Sequence, residues 1–409
     1  MSQAAANGAR IVATFASPGR VHLTSLPPLA LYVHFPWCVR KCPYCDFNSH
    51  EWQGDAFPEN DYLDALRADL EQALPLVWGR QVHTIFIGGG TPSLLSAAGL
   101  DRLLSDVRAL LPLDADAEIT LEANPGTFEA ARFAQYRTSG VNRLSIGIQS
   151  FNGEHLKALG RIHDSAQARA AVEVAARTFD NFNLDLMFAL PNQTLDQCRA
   201  DIETALSFAP PHLSLYHLTL EPNTLFAKFP PTVPDDDASA DMQDWIHERT
   251  AEAGYGRYEV SAYARPNRQC KHNLNYWRFG DYLGIGAGAH TKLSFPNRIL
   301  RQARYKHPGT FIEQVKAGAP VQEEREVGPR DLPFEFMLNT LRLVEGFPVH
   351  SFAERTGMPM AKIEPALREA EQRGLITRSH ERIAPTALGQ RFLNDLQALF
   401  LRDAQADRA

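Results

Sequence analysis

Residues 30–47 read ALYVHFPWCVRKCPYCDF, and the reading of this stretch decides the fold. Its first part, Ala30–Phe35, is a continuous apolar run without a formal charge, which suits a strand buried on both faces, as in a parallel sheet. Directly after it, Cys38, Cys42 and Cys45 fall within eight residues. A loop at the carboxyl end of a first barrel strand lies on the face where active sites of such barrels gather. Three thiolates are one short of closing a tetrahedral zinc site or ligating all the irons of a four-iron cube. Zinc sites usually bring their cysteines as two C-x2-C pairs, and two such pairs are absent here. The spacing therefore favours a cubane cluster with one iron left open to a small molecule. A zinc ion with a distant fourth ligand, or cysteines that only pack, are the alternatives.

Outward from this stretch the pattern repeats. Apolar runs recur at Val82–Ile87, Glu118–Glu122, Arg143–Ile148, Phe182–Ala189 and Leu213–Leu218. Between them lie stripes at helical spacing: Tyr62, Leu66, Leu70 and Leu74; Leu100, Leu103, Leu104, Val107 and Leu111; Leu195, Cys198, Ile202, Ala205 and Leu206. Such alternation predicts an α/β fold with right-handed crossovers, a partial (β/α)6 barrel over residues 30–220. A full eight-strand barrel usually takes ~250 residues, more than this stretch supplies.

The chain divides into four expected parts. Residues 1–29 read as a flexible extension, since they lack a signal-like apolar core. They also hold no acidic residue, the first in the chain being Asp46, which leaves an organellar transit peptide as the alternative. The barrel follows. Residues 221–330 read as a barrel-associated strand and loop region. Within it Phe229–Asp241 suits a solvated loop, 254–295 strand and loop rather than helix, and Pro320–Pro333 a linker. Residues 331–409 read as a winged-helix-like module: a helix on Ile363, Leu367 and Ala370 stopping at Gly374, a hairpin over Leu375–Ala384, and a last helix from Phe392.

Composition narrows the function. A chain of 409 residues with 44% hydrophobic and 22% charged residues is ordinary globular protein. No apolar run approaches the ~20 residues of a membrane-spanning helix. The net charge of −7 argues against a cationic nucleic-acid coat. From Phe347 onward nine Lys/Arg face eight Asp/Glu, a poor phosphate footprint for a winged helix. Packing against the barrel or gripping a partner protein fits that module better than DNA.

Further motifs follow the cysteines in order: IGGGTPS at 87–93, LEANP at 121–125, GIQSF at 147–151, GRIH at 160–163 and DLMFALPNQT at 185–194. With YVHFPWCVRKCPYCDF and its aromatic Tyr44 before the last cysteine, this set resembles the HemN-like branch of the radical S-adenosylmethionine (SAM) superfamily, over nearly the whole chain. The resemblance implies a [4Fe–4S] cluster on Cys38, Cys42 and Cys45, whose open iron binds the amino acid part of SAM. It also implies reductive cleavage of SAM to a 5′-deoxyadenosyl radical. The remaining SAM contacts it implies are Tyr32, Gly89, Gly90, Thr91, Glu122, Gln149, Arg161 and Asp185. Physically, the glycines let bare backbone approach a ligand and offer hydrogen bonds. The strand-end polar residues converge on one pocket, where the charged ones complement the ammonium, carboxylate and ribose of SAM. No residue is assigned a catalytic role, and whether SAM is cleaved or only regulates is left open.

Within this branch, the oxygen-independent coproporphyrinogen III oxidases carry a further cysteine two residues after the third. Here Asp46 and Phe47 follow Cys45. Instead, His272-Asn273-Leu274-Asn275-Tyr276-Trp277 matches the HNxxYW motif of HemW-type haem chaperones. The resemblance thus implies haem as cargo, bound by His272, Tyr276 and Trp277, and haem-accepting proteins as partners, membrane-associated ones conceivable among them. An electron donor for the cluster and a cytoplasmic location complete the expectation. A neutral histidine can ligate iron, and Tyr and Trp offer flat faces to a porphyrin. The hexapeptide also suits a loop whose aromatics pack and whose histidine is satisfied by backbone. Cys270 suits a packed thiol better than a second soft ligand, and Cys198 is structural. Two other functions stay open: porphyrinogen decarboxylation in haem biosynthesis, and a zinc-dependent regulatory binding protein.

Overall fold

The computed structural model describes residues 21–52, 54, 57–126 and 131–401. Six parallel strands lie side by side in chain order: β1 (Leu29–Phe35), β2 (Val82–Gly89), β3 (Leu113–Ala123), β4 (Arg143–Gln149), β5 (Phe182–Phe188) and β6 (His212–His217). Helices α1 (Glu59–Val77), α2 (Ala97–Leu110), α3 (Phe133–Ser139), α4 (Ser165–Thr178) and α5 (Leu195–Ser207) make the crossovers. The predicted partial (β/α)6 barrel is therefore present. Its strands are buried on both faces because helices cover the outside, which is why they read as unbroken apolar runs. The helical stripes point inward: Tyr62, Leu66 and Leu70 from α1, and Leu100, Leu103, Leu104 and Val107 from α2, join one core with the strands. Capping boxes at Asp164/Gln167 and Thr194/Gln197 start α4 and α5 by satisfying amides that lack an intrahelical partner.

The sheet extends past the six. β9 (Asp281–Ile285) adds a seventh parallel strand on the open side of β1. Antiparallel strands β10 (His290–Phe295), β11 (Arg298–Arg304) and β12 (Val321–Glu326) continue from it. On the opposite edge, β8 (Ala262–Ala264) pairs with β6, and β7 (Gly256–Arg257) pairs with β8. Among the described residues the sheet has twelve strands and stays open.

Several local expectations are corrected. Pro320–Pro333 is no linker at its start, because Val321–Glu326 is an edge strand; its polar side chains stay exposed there. The acidic run expected in a loop begins helix α6 (Asp236–Glu252) instead. Asp235 caps it, its carboxylate accepting from the Ala238 amide, and Asp236 and Asp237 favour the positive end of the helix dipole. Within 254–295, Lys271–Trp277 forms helix α7, so the HNxxYW motif is helical. The N-terminal stretch is tied down from Val21: Val21 and Leu23 are buried in the C-terminal core, and the Leu23 amide donates to the Pro296 carbonyl at 2.9 Å. Residues 1–20 of the expected extension lie outside the described residues.

The C-terminal module follows the predicted helix–hairpin–helix order. Helices α8 (Leu332–Thr340), α9 (Val349–Thr356) and α10 (Glu364–Gln372) pack with a sheet of Phe347–Pro348, Ile376–Arg378 and Arg382–Pro385. Gly374, at φ +70°, stands just past α10, as its position in the sequence predicts. This core also takes in Phe279 and Ile299 from the sheet region, so module and sheet share one apolar interior. Among the described residues no helix is long and apolar enough to cross a membrane.

Candidate functional site

Two cavities flank the loop that carries the three cysteines. The first, about 400 Å³, sits at the carboxyl ends of the parallel strands. Cys38, Cys42, Cys45, Gly89, Gly90, Thr91, Glu122, Gln149, Arg161 and Asp185 all line it. Burial pushes the Cys38 thiol up, as does the negative charge of Cys45 and Cys42 nearby, and burial likewise raises Cys45. A cationic centre bound among the cysteines would reverse that preference at Cys38 and Cys45.

Opposite the cysteines the wall is acidic. Burial and the neighbouring Asp185 charge push the Glu122 carboxyl up to about 8. Burial raises Asp185 too, against the hydrogen bonds it accepts from Asn183 Nδ2 at 2.8 Å and Ser145 Oγ at 3.0 Å. Two buried carboxyls held this way are poised for a cation. Arg161 supplies the positive side. Its Nη2 donates to Asn124 Oδ1 at 2.7 Å and the Gly147 carbonyl at 2.8 Å, and its Nη1 lies 3.6 Å from Cys42 Sγ. Its Nε is buried without a partner among the described residues, a donor beside the cysteines. Gln149 sits at φ +66°, a left-handed conformation uncommon outside glycine, where β4 ends at the cavity. The donor set and its charge pattern fit a three-cysteine cluster with SAM against it.

The glycines act differently from the expectation. The Gly90 and Thr91 amides donate to the Phe35 and Trp37 carbonyls at 2.6 and 2.8 Å, and the Gly89 amide donates to Glu122 Oε2 at 3.0 Å. The Gly90 and Thr91 N–H groups stitch the end of β2 to the end of β1 and the segment leading to the cysteines, and the Gly89 N–H ties β2 to β3, instead of facing a ligand. A Cβ at Gly90 would lie 2.4 Å from the Trp37 carbonyl oxygen, so the close approach itself requires glycine. Asn124 and Ser145 were not singled out in the sequence although both line the cavity. The signal was there: Asn124 is two residues past Glu122 at the same strand end, and Ser145 is two before Gly147 and four before Gln149, on one strand face.

The second cavity, about 810 Å³, lies on the other side of the cysteine loop, and Cys45, Asp46, Phe47 and Ser49 border both. Tyr276, Trp277 and Tyr282 give it an aromatic wall; Lys41 and Lys306 give it positive charge. Tyr32, expected among the SAM contacts, lines this cavity instead, its hydroxyl 2.9 Å from His34 Nδ1. The Trp277 Nε1 is buried without a partner among the described residues, and the Arg342 guanidinium stacks over its ring at 4.3 Å.

His272 is not on that wall. It is 1% exposed, its Nδ1 lies 2.8 Å from Thr84 Oγ1 and its Nε2 2.9 Å from the Tyr276 hydroxyl. Burial holds it neutral, pushed down to about 3. Both ring nitrogens are engaged inside the protein, so in this arrangement the histidine presents no lone pair to a ligand. The reason is helical: residues 272 and 276 are i and i+4 on α7, on the same face. Cys270, just before α7, is fully buried with Sγ 3.6 Å from Glu118 Oε1, and Cys198 is buried on α5. Both are packed thiols.

Residues 32–205 match the family described as the Radical SAM superfamily, and residues 327–392 match the HemN C-terminal domain. Over 383 residues, 93% of this chain and 100% of the other, the sequence is 51% identical to Heme chaperone HemW of Escherichia coli K12. It is 48% identical to Heme chaperone HemW of Haemophilus influenzae, across 93% of this chain and 100% of that protein. With Heme chaperone HemW of Mycobacterium tuberculosis H37Rv it shares 35% identity, over 89% and 92%. Among solved structures, coproporphyrinogen III oxidase (HemN) from Escherichia coli superposes with a TM-score of 0.78 over 92% of this chain and 90% of that one. Their identity is 24%, so this likeness concerns the fold alone.

Proposed function

Since the chain belongs to the HemW family of the radical SAM superfamily, we propose that it binds haem and hands it to acceptor proteins, with a SAM-binding [4Fe–4S] cluster beside the haem site. The observation that carries this reading is the pair of cavities on either side of one cysteine loop. Cys38, Cys42 and Cys45 hold the cluster, which when bound supplies an iron open to SAM and an electron for its cleavage. Glu122 and Asp185 face the cationic part of SAM, Arg161 its carboxylate, and Gln149, Gly89, Gly90 and Thr91 shape the wall between.

Haem belongs in the larger, aromatic cavity. Its volume of about 810 Å³ is within the range of ~300–1,000 Å³ typical of small-molecule sites. Tyr276 and Trp277 offer flat faces to the macrocycle, and the lysines of the rim suit its propionates. Tyr32, expected to serve SAM, faces the haem side. The partners are acceptor proteins, membrane-associated ones among them, and an electron donor; the compartment is the cytoplasm. Asp46 and Phe47 stand where the oxidases carry their extra cysteine, which weighs against porphyrinogen decarboxylation.

The test is an anaerobic haem titration of the cluster-reconstituted protein, followed by absorbance, beside a coproporphyrinogen III turnover assay on the same sample. Stoichiometric haem binding without turnover is expected. Turnover without specific haem binding would overturn the chaperone reading.

A further inference from the structure

We propose that the Lys306 ammonium binds a propionate carboxylate of haem and so fixes which edge of the macrocycle faces the cysteine loop. The proposal rests on the haem reading above and deepens it by naming the group that selects a porphyrin with free carboxylates.

The second cavity carries an excess of positive charge. Lys41, Lys292, Arg301 and Lys306 line it, against Asp46 as the one carboxylate among the described residues. Three of these cations already serve the protein. Lys292 Nζ donates to Asp281 Oδ1 and to the Phe279 carbonyl, each at 3.1 Å. The Arg301 guanidinium is divided between the Tyr282 hydroxyl, 2.6 Å from Nη1, and Glu335 Oε2, 2.7 Å from Nη2. Lys41 spends two of its three donors on the Phe47 and Ser49 carbonyls. The Lys306 ammonium has no hydrogen bond or ion pair among the described residues. Its backbone is nonetheless pinned: the Lys306 carbonyl accepts from Asn48 Nδ2 at 2.9 Å and lies 3.3 Å from His50 Nε2.

The surroundings of Lys306 leave that charge for a ligand to meet. His290 and His50 line the same rim. Burial lowers the proton affinity of His290, helped by Lys306 and Arg301 and opposed by Glu323. Burial lowers that of His50 as well, helped by His307 and Lys41 and opposed by the bond to the Lys306 carbonyl. An ammonium with neutral imidazoles beside it and no carboxylate bonded to it can pair with an arriving carboxylate without first breaking an ion pair.

The strand ladder sets the direction. Lys292 pairs with Tyr282 of β9 and with Arg301 of β11, at the aromatic end of the cavity, where Tyr276 stands edge-on to Tyr282 at 4.5 Å between centroids. Two residues earlier on β10, about 7 Å along the strand, His290 pairs with Ala303. There the Gly288 amide donates at 2.8 Å to the carbonyl of Tyr305, the residue before Lys306. Aromatic faces thus stand at one end of the ladder and the uncommitted ammonium at the other. Haem has the same polarity, an apolar macrocycle with both carboxylates leaving from one edge. Seated against Tyr276 and Trp277 with that edge at Lys306, it turns its charged side to the segment that Asn48 anchors and its apolar side away from it.

The experiment compares haem with haem dimethyl ester, which keeps the iron and the macrocycle but has no carboxylate. Both are titrated by absorbance, in matched detergent buffer, into the cluster-reconstituted full chain as wild type, Lys306→Met and Lys306→Arg. Circular dichroism and SAM binding serve as folding controls, and the quantity read is the ratio of variant to wild-type Kd for each porphyrin. Lys306→Met is expected to raise the Kd for haem by about three- to tenfold, the scale of one charge-assisted hydrogen bond at a partly open site, and to leave that for the ester unchanged. Lys306→Arg, which keeps the charge, is expected to hold the Kd for haem near the wild-type value. An equal loss for haem and ester in Lys306→Met overturns the proposal, since the side chain then acts by packing. An unchanged Kd for haem in that variant overturns it too, since the propionates then meet another group. If the wild-type chain binds neither porphyrin stoichiometrically, the haem reading itself fails, which is a separate result.

Discussion

Glu122 and Asp185 share the buried floor of the first cavity, and burial, with the Asp185 charge beside Glu122, sets how that floor responds to pH. Burial and the Asp185 charge push the Glu122 carboxyl up to about 8, so at lower pH the uncharged form is favoured. A cationic ligand binds the carboxylate form, and below pH 8 its binding must therefore expel a proton. SAM affinity should rise with pH by up to about tenfold per unit as pH approaches 8, then level off. Glu122→Gln should flatten that rise, as read by equilibrium dialysis of the reconstituted protein at several pH values. A wild-type profile that is flat below pH 8 would place the ligand's cation elsewhere. Glu122 and its companions at strand ends were legible in the sequence because a parallel barrel sends such positions to one face. The orientation of His272 and Tyr32 was not. A motif gives residue types and spacing, but whether a ring faces a cavity or turns inward depends on what the next element brings, here Thr84 from β2 and His34 from β1 itself.

Among the elements, β9 illustrates the same limit on a larger scale. Its DYLGI reads weakly as strand, and its parallel pairing with β1 joins residues about 250 positions apart, a relation no local periodicity encodes. The helices and the six first strands could be read because amphipathic stripes and apolar runs are local. Strand β12 was missed because an edge strand needs no apolar side chains, and α7 because seven residues barely make two turns. What secures β9 is Asp281, fully buried, with Oδ1 3.1 Å from Lys292 Nζ on β10 and Oδ2 2.9 Å from Arg80 Nη1. It also accepts from the Ser294 amide and hydroxyl, each at 2.8 Å. Asp281→Ala strands the Lys292 ammonium in the interior and should cost about 3–5 kcal/mol, read as a lower urea midpoint. Adding Lys292→Met should recover part of the loss, since the stranded charge is then gone. An unchanged midpoint in Asp281→Ala would mean that β9 is held by packing alone.

At the scale of the whole molecule, the two cavities are neighbours through one wall. Cys45, Asp46, Phe47 and Ser49 face both, and Lys41 reaches under the same loop to donate to the Phe47 and Ser49 carbonyls at 3.1 Å each. A ligand that shifts this segment on one side alters the surface offered on the other. Asn48 ties the segment to the turn before His290, so the displacement cannot be absorbed by a slack loop. The two occupants must then change each other's binding free energy. Thermodynamic linkage fixes the form of that effect: whatever factor haem imposes on SAM affinity, SAM imposes on haem affinity. We therefore expect SAM titrations with and without haem, and haem titrations with and without SAM, to give the same ratio of Kd values, different from one. Asn48→Ala, which frees the loop from the Ala287 and Lys306 carbonyls, should bring that ratio toward one while leaving the cysteines in place to hold the cluster. Ratios of one in both directions for the wild-type chain would mean that the shared wall is rigid and the cavities work independently.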